Sequence, residues 1–159
     1  MDIEQIKITP DKPFPGNDIE LCLYKTVFPK DSSELQAEFR KRFTDNGWSA
    51  PWVNGVYEFH HFHAEAHEVL GCAAGWVIVQ MGGPNGLRVK LEAGDAVLIP
   101  AGVSHKNIDC SADYRILGSY PHGQSPDLRQ GDPAEWDEVR AKIARVRLWD
   151  KDPVTGEKE

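Results

Sequence analysis

The chain has 159 residues, 40% hydrophobic and 27% charged, a balance that suits one folded domain and excludes a disordered chain. Eighteen Lys and Arg against 25 Asp and Glu give a formal charge of −7, which argues against nucleic acid or an anionic membrane as a partner. No apolar run approaches the roughly 20 residues of a membrane-crossing helix, and the acidic start MDIEQIKITP is no secretory leader.

In chain order, Asp11–Asn17 (DKPFPGN) reads as a turn-rich loop. Ile19–Phe28 alternates as a strand does. Asp31 with Glu34 forms a capping-box pattern, and Leu35, Phe39 and Phe43 then recur at helical spacing. Asn46-Gly47 stops this first helix, so an N-terminal strand and helix fill residues 19–47. From about residue 50 to 120 the pattern is short apolar runs cut by glycines. The runs are Val56–His63, Glu68–Ala73, Trp76–Met81, Leu87–Glu92, Asp95–Ile99, Val103–Ile108 and Tyr114–Tyr120. Ala74-Gly75 and GGPNG (82–86) are turns between them, and such spacing predicts an antiparallel sandwich or barrel. Asp132 as cap, Pro133 in the first position and Glu135 closing a capping box open a second helix over about residues 133–145. Its apolar-leaning face is Trp136, Val139 or Arg140, and Ile143, and from Asp150 onward the chain reads as a surface tail. Cys22, Cys72 and Cys110 are odd in number and form no CxxC pair, so they read as reduced thiols of a cytoplasmic protein.

Histidine carries the chemical signal: of six, four fall at positions 60, 61, 63 and 67. If Val56–His63 is a strand, Tyr57, Phe59, His61 and His63 share one face. The aromatics then sit deep in the core and the two imidazoles where a metal is held. Glu68 opens the next strand beside them, with Leu70 and Cys72 on its face. A turn one residue shorter would present His67 instead, so both readings stay open. His105 comes from a later strand, after the Pro100-Ala101-Gly102 turn. His60 faces away and reads as a packing or surface residue. Three imidazoles and a carboxylate suit one divalent first-row ion (Fe, Mn, Ni, Co, Cu or Zn) and leave an octahedral ion two open positions. Tyr57, Glu65 and His67 are candidate general acids or bases, and Tyr120, in the exit from the last strand, is a candidate pocket wall.

The spacing Gly55-x5-His61-x-His63-x4-Glu68-x6-Gly75 resembles the first cupin motif, and Gly94-x5-Pro100-Ala101-Gly102-x2-His105 resembles the second. The Asn that usually closes the second motif is Asp109 here. FTDNGW (43–48), HHFHAEAHEVLG (60–71), IPAGVSH (99–105), GSYPHGQSPDLR (118–129) and DPVTG (152–156) extend the resemblance to the small single-domain YjlB-like bacterial cupins. The resemblance implies a single all-β cupin domain over residues 1–159: a double-stranded β-helix, or jelly-roll barrel, with two short peripheral helices. It also implies His61, His63, Glu68 and His105 as metal ligands, and a homodimer. The expected activity is a metal-dependent dioxygenase or oxidoreductase acting on a small polar organic molecule. A non-redox isomerase or lyase, and a non-catalytic small-ligand module, use the same residues.

Overall fold

The computed structural model describes every residue of the chain except Ala50. The strands are β1 (Asp2–Ile8), β2 (Asn17–Lys25), β3 (Trp48–Asn54), β4 (Glu68–Ala74), β5 (Trp76–Met81), β6 (Leu87–Glu92), β7 (Ala96–Ile99), β8 (His105–Cys110) and β9 (Arg115–Pro121). Two helices accompany them, α1 (Leu35–Asp45) and α2 (Trp136–Arg145), the latter entered through a 3-10 turn at Pro133–Glu135. All pairings are antiparallel and form one six-stranded sheet, β1-β2-β7-β4-β9-β3, and one three-stranded sheet, β6-β5-β8. The protein is all-β with two short helices at its periphery. No helix among the described residues is long and apolar enough to cross a membrane.

Strand alternation sends one set of side chains between the sheets and the other outward. Leu70, Cys72, Val77, Val79, Leu91, Val97 and Ile116 fill the interior. On the outer face of the large sheet, Val69, Leu98 and Leu117 meet the Leu35, Phe39 and Phe43 stripe of α1. Burying one such aromatic contributes about 1.5–3 kcal/mol. Gly71 permits this contact, because a Cβ there would lie 2.7 Å from the Phe39 ring.

Several expectations need correction. Val56–His63 is not a strand: only isolated bridges are made, His61 to His105 and Phe62 to Arg129. The Tyr57 carbonyl accepts from Asn107, the His61 amide donates to His105, the Phe62 amide to Arg129, and the His63 carbonyl accepts from Gly102. Tyr57, His61 and His63 all bond to the one stretch Gly102–Asn107, with Arg129 on the other side, but the chain bends at Glu58 and Phe59, so the pairing is broken before a ladder forms. The Asp31 capping box does not form. The chain turns at Pro29–Ser32, and α1 starts after Glu34 without a side-chain cap; the Ser32 hydroxyl accepts from the Glu34 amide and donates to Glu38. At α2 the Asp132 carboxylate does accept from the Ala134 amide, but Glu135 pairs with Arg129 rather than closing a box. Residues from 150 onward are no surface tail. Trp149 and Val154 are buried against α1 and β2, the Tyr24 hydroxyl donates to Asp152, and the Trp48 indole donates to the Lys151 carbonyl. β1 and β3, the two edges of the large sheet, have no counterpart among the expected strands.

Candidate metal centre

Glu68 opens β4 on the same side as Leu70 and Cys72, and His105 opens β8. Both are fixed by ladder pairing, Glu68 opposite Ile99 and His105 opposite Met81. Glu68 Oε1 lies 3.2 Å from His105 Nε2 and 3.4 Å from His63 Nε2. Ligand atoms of His63, Glu68 and His105 all fall within 4.8 Å of one another. His61 stands outside that limit but borders the cluster, its ring centroid 4.1 Å from that of His105 and 6.0 Å from that of His63.

The three imidazoles share one arrangement. His61 Nδ1 faces the Phe59 carbonyl at 3.0 Å, His105 Nδ1 faces the Val103 carbonyl at 3.2 Å, and His63 Nδ1 faces the Asp127 carbonyl. A carbonyl only accepts, so each Nδ1 carries a hydrogen and, in a neutral ring, each Nε2 keeps a lone pair. Carbonyls hold metal-ligating histidines in orientation in this way. Burial, with the neighbouring His105, pushes His61 down to about 3, so that ring is neutral at physiological pH. Burial opposes charge on Glu68, yet the hydrogen bonds from His105 and His63 outweigh it and hold the carboxyl below its usual range. Burial likewise opposes charge on His63, and Glu68 reverses the balance and raises it.

The loop carrying His61 and His63 is held from two sides. On one side, His61 and His105 exchange backbone hydrogen bonds of 3.2 and 2.9 Å, and the Gly102 amide donates to the His63 carbonyl at 2.8 Å. Gly102 has φ +87°, and a Cβ there would come within 2.4 Å of the Gly16 carbonyl oxygen, so glycine is required at this turn. On the other side runs the segment 126–129. The Asp127 carboxylate accepts from the Ala64 and Glu65 amides at 2.8 and 2.9 Å, and Phe62 and Arg129 exchange backbone bonds. The Arg129 guanidinium contacts Asp127 at 2.8 Å and reaches Glu135 and Glu138 at 3.1 and 3.0 Å, tying the loop to α2.

A cavity of about 350 Å³ opens onto the cluster. Tyr120 lines it, its hydroxyl accepting from the Trp52 indole at 3.2 Å. Burial and the adjacent Glu68 raise Tyr120 far above a free phenol. Tyr57 also lines the cavity but is 51% exposed, and Phe59, 37% exposed, stacks on it at 4.8 Å. These aromatics stand at the solvent end, not deep in the core as expected. Glu65 points outward to Lys142 at 3.2 Å. His67 lies on the far side of the sheet edge, its Nδ1 accepting from the Ala101 amide and its ring 5.0 Å from Trp149. Burial lowers His67 to about 4 and raises the Cys72 thiol to about 12. His60 packs against Phe14. His122 and Gln124 face other partners, Ser49 for the first and His67 and Arg147 for the second. Sequence reading passed over Asp127 and Arg129, whose only signal was the GSYPHGQSPDLR stretch, and the cavity walls Trp52 and Leu128.

Two facing antiparallel sheets with a histidine–glutamate cluster where β4 and β8 begin define a cupin. The chain belongs to the family of the uncharacterized protein YjlB of Bacillus subtilis (strain 168). The two are 40% identical over 116 residues, 73% of this chain and 70% of that protein. No protein-family model matches the chain. Among solved structures, a point mutant of the 3,4-ketoisomerase QdtA from Thermoanaerobacterium thermosaccharolyticum, in complex with TDP-4-keto-6-deoxyglucose, is 15% identical. It covers 87% of this chain and 94% of its own, with a TM-score of 0.49. The acireductone dioxygenase from Bacillus anthracis, with a cadmium ion in its active centre, is 16% identical over 67% of this chain and 82% of its own, at a TM-score of 0.44. At these identities and scores neither brings an activity to this chain.

Proposed function

We propose that this chain holds one divalent first-row metal ion through His61, His63, Glu68 and His105, and uses it in a dioxygenase or oxidoreductase reaction on a small polar organic molecule. The observation that carries the reading is the His63–Glu68–His105 cluster with His61 at its border, each imidazole turned by an Nδ1–carbonyl contact so that Nε2 is the atom left for a metal. Without an ion, Glu68 is satisfied only when His63 and His105 take a second proton and donate to it through Nε2; with one, imidazole and carboxylate ligands suit a borderline first-row cation in the place of those protons. Such an ion, when bound, supplies Lewis-acid or redox chemistry. The residues around it do the rest. Glu68 offsets part of the ion's charge, the aromatic and aliphatic walls flank the approach to it, and Tyr120, kept protonated, offers a hydrogen bond to a substrate oxygen.

A second reading keeps the same ligands in a non-redox isomerase or lyase, with the neutral Tyr120 phenol in the cavity donating a hydrogen bond to a substrate oxygen. Elemental analysis of anaerobically purified protein, followed by oxygen uptake against a small-molecule panel, separates them. About one metal per chain with substrate-dependent oxygen uptake is expected. Turnover without oxygen selects the second reading, and binding without turnover a ligand-holding module. The three free cysteines, two of them buried, support a reducing cytoplasmic setting. The homodimer rests on the family resemblance, and sedimentation tests it.

A further inference from the structure

The cavity walls say more about the substrate than the metal cluster does. Among the described residues lining the cavity, none is lysine or arginine, and none lies at a helix N-terminus. Arg129, which follows the lining residue Leu128, is committed to Asp127, Glu135 and Glu138. Phosphate and pyrophosphate groups are held in proteins by such cations or by helix N-termini, because two or more negative charges otherwise lose their hydration uncompensated. The acidic groups lining this cavity are Glu68 and Asp127, and a divalent ion with one carboxylate leaves a single positive charge.

Most of the rest of the lining is aromatic or aliphatic, with Trp52, Tyr57, Leu70, Tyr120, Pro126 and Leu128 as its larger side chains and the uncharged amide of Asn54 beside them. Tyr57 and Leu128 line the cavity yet remain 51% and 48% exposed, so apolar surface stays uncovered at the mouth. Phe59 stacks on Tyr57 with an interplanar angle of 17°, and the Tyr57 ring meets His61 edge-on at 5.0 Å. Tyr57 is thereby braced as a wall within reach of the metal cluster. A volume of about 350 Å³ is at the small end of ligand pockets, roughly 300–1,000 Å³.

We infer that the substrate is a small neutral or singly charged molecule with a planar apolar body and one or two oxygen donors, and that phosphorylated and nucleotide-linked molecules are excluded. The oxygen end faces the histidine–glutamate cluster, and the planar body lies between Tyr57, Trp52 and Leu128. The inference rests on the metal site proposed above.

The test uses the full chain loaded with zinc, its metal content measured first, and titrated by calorimetry with catechol and with phenyl phosphate. These probes share a ring and differ in the charge they bring. Catechol is expected to bind about tenfold more tightly than phenyl phosphate, a difference of about 1.4 kcal/mol. Tyr57→Ala, with its zinc retained, should weaken catechol about fivefold, the size of one aromatic contact. Equal or tighter binding of phenyl phosphate overturns the inference. So does a zinc-loaded chain that ignores catechol, or a Tyr57→Ala and Leu128→Ala pair that binds it as wild type does. A chain that takes up no zinc overturns the metal reading itself and removes the inference with it.

Discussion

The two halves of the candidate site are built by different means. Glu68 and His105 open paired strands, and backbone ladders on β4 and β8 set their positions. His61 and His63 sit on a segment with no ladder, held by isolated bridges to His105 and Arg129 and by the Asp127 carboxylate. Strand pairing positions a side chain through many backbone bonds, so losing one costs little. The loop half depends on a few named groups, and each should be felt. The segment 126–129 is therefore part of the site, although only Pro126, Asp127 and Leu128 reach the cavity.

The largest effect should follow from removing the ladder-held carboxylate. Glu68→Ala should lose most bound metal, while His67→Ala, whose ring faces Trp149, should keep at least half. A chelator should lower the melting temperature of wild type, since a ligand at 100 times its dissociation constant stabilises by about 2.7 kcal/mol. It should leave Glu68→Ala unmoved. Metal analysis and thermal melts check both, and metal loss in His67→Ala alone would place the site elsewhere.

The loop half is tested by Arg129→Ala, which cuts the tie from Asp127 to α2 without touching a proposed ligand. Metal affinity should fall, by less than the ~10–100-fold that follows the loss of a group bonded directly to a ligand. Unchanged affinity in a competition titration would mean that the two halves are equally rigid.

Asp127 gives a smaller, pH-dependent effect. Burial opposes its charge, but Arg129 outweighs burial and holds the carboxyl below its ordinary 3.8. A depressed folded value contributes stability above the unfolded pKa, and that contribution is lost as pH falls through the folded value. Asp127→Asn should be less stable than wild type at pH 7 by about 1 kcal/mol, the worth of a partly screened charged hydrogen bond. The gap should narrow as the solution is acidified below pH 3.8, with urea melts as the readout.

The smallest effect concerns thiols. With its thiol pushed up to about 12 and its side chain buried, Cys72 should resist alkylation at pH 8, whereas partly exposed Cys110 should react first. Peptide mapping after brief labelling decides it.

The ladder half was the readable half. Leu70 and Cys72 share parity with Glu68, which favoured that register over one with His67 inward, while the reason for a glycine at 71 became visible only with Phe39 of α1 against it. The loop half was not readable as a loop. Tyr57, Phe59, His61 and His63 alternate as a strand would, and the residues do not reveal that the chain bends at Glu58 and Phe59 and so breaks its pairing with Gly102–Asn107. Asp127 acts on His63 through a carbonyl oxygen, a group every residue possesses and therefore one without a sequence signature. Trp149 and Val154 escaped notice because two apolar residues spread among charges show no period, although each fills a slot beside α1.

That last contact bears on how the protein is made. Tyr24 and Asp152, joined by a buried hydrogen bond, are separated by 128 positions. During synthesis the cluster of Tyr24 on β2, Phe43 on α1 and Trp48 on β3 lacks Trp149 and Val154 as a cover until residue 154 has left the ribosome. A nascent chain stalled short of that point presents bare aromatic surface, the kind of surface that aggregates or recruits a chaperone. The interior between the sheets is already supplied with its side chains once β9 has emerged.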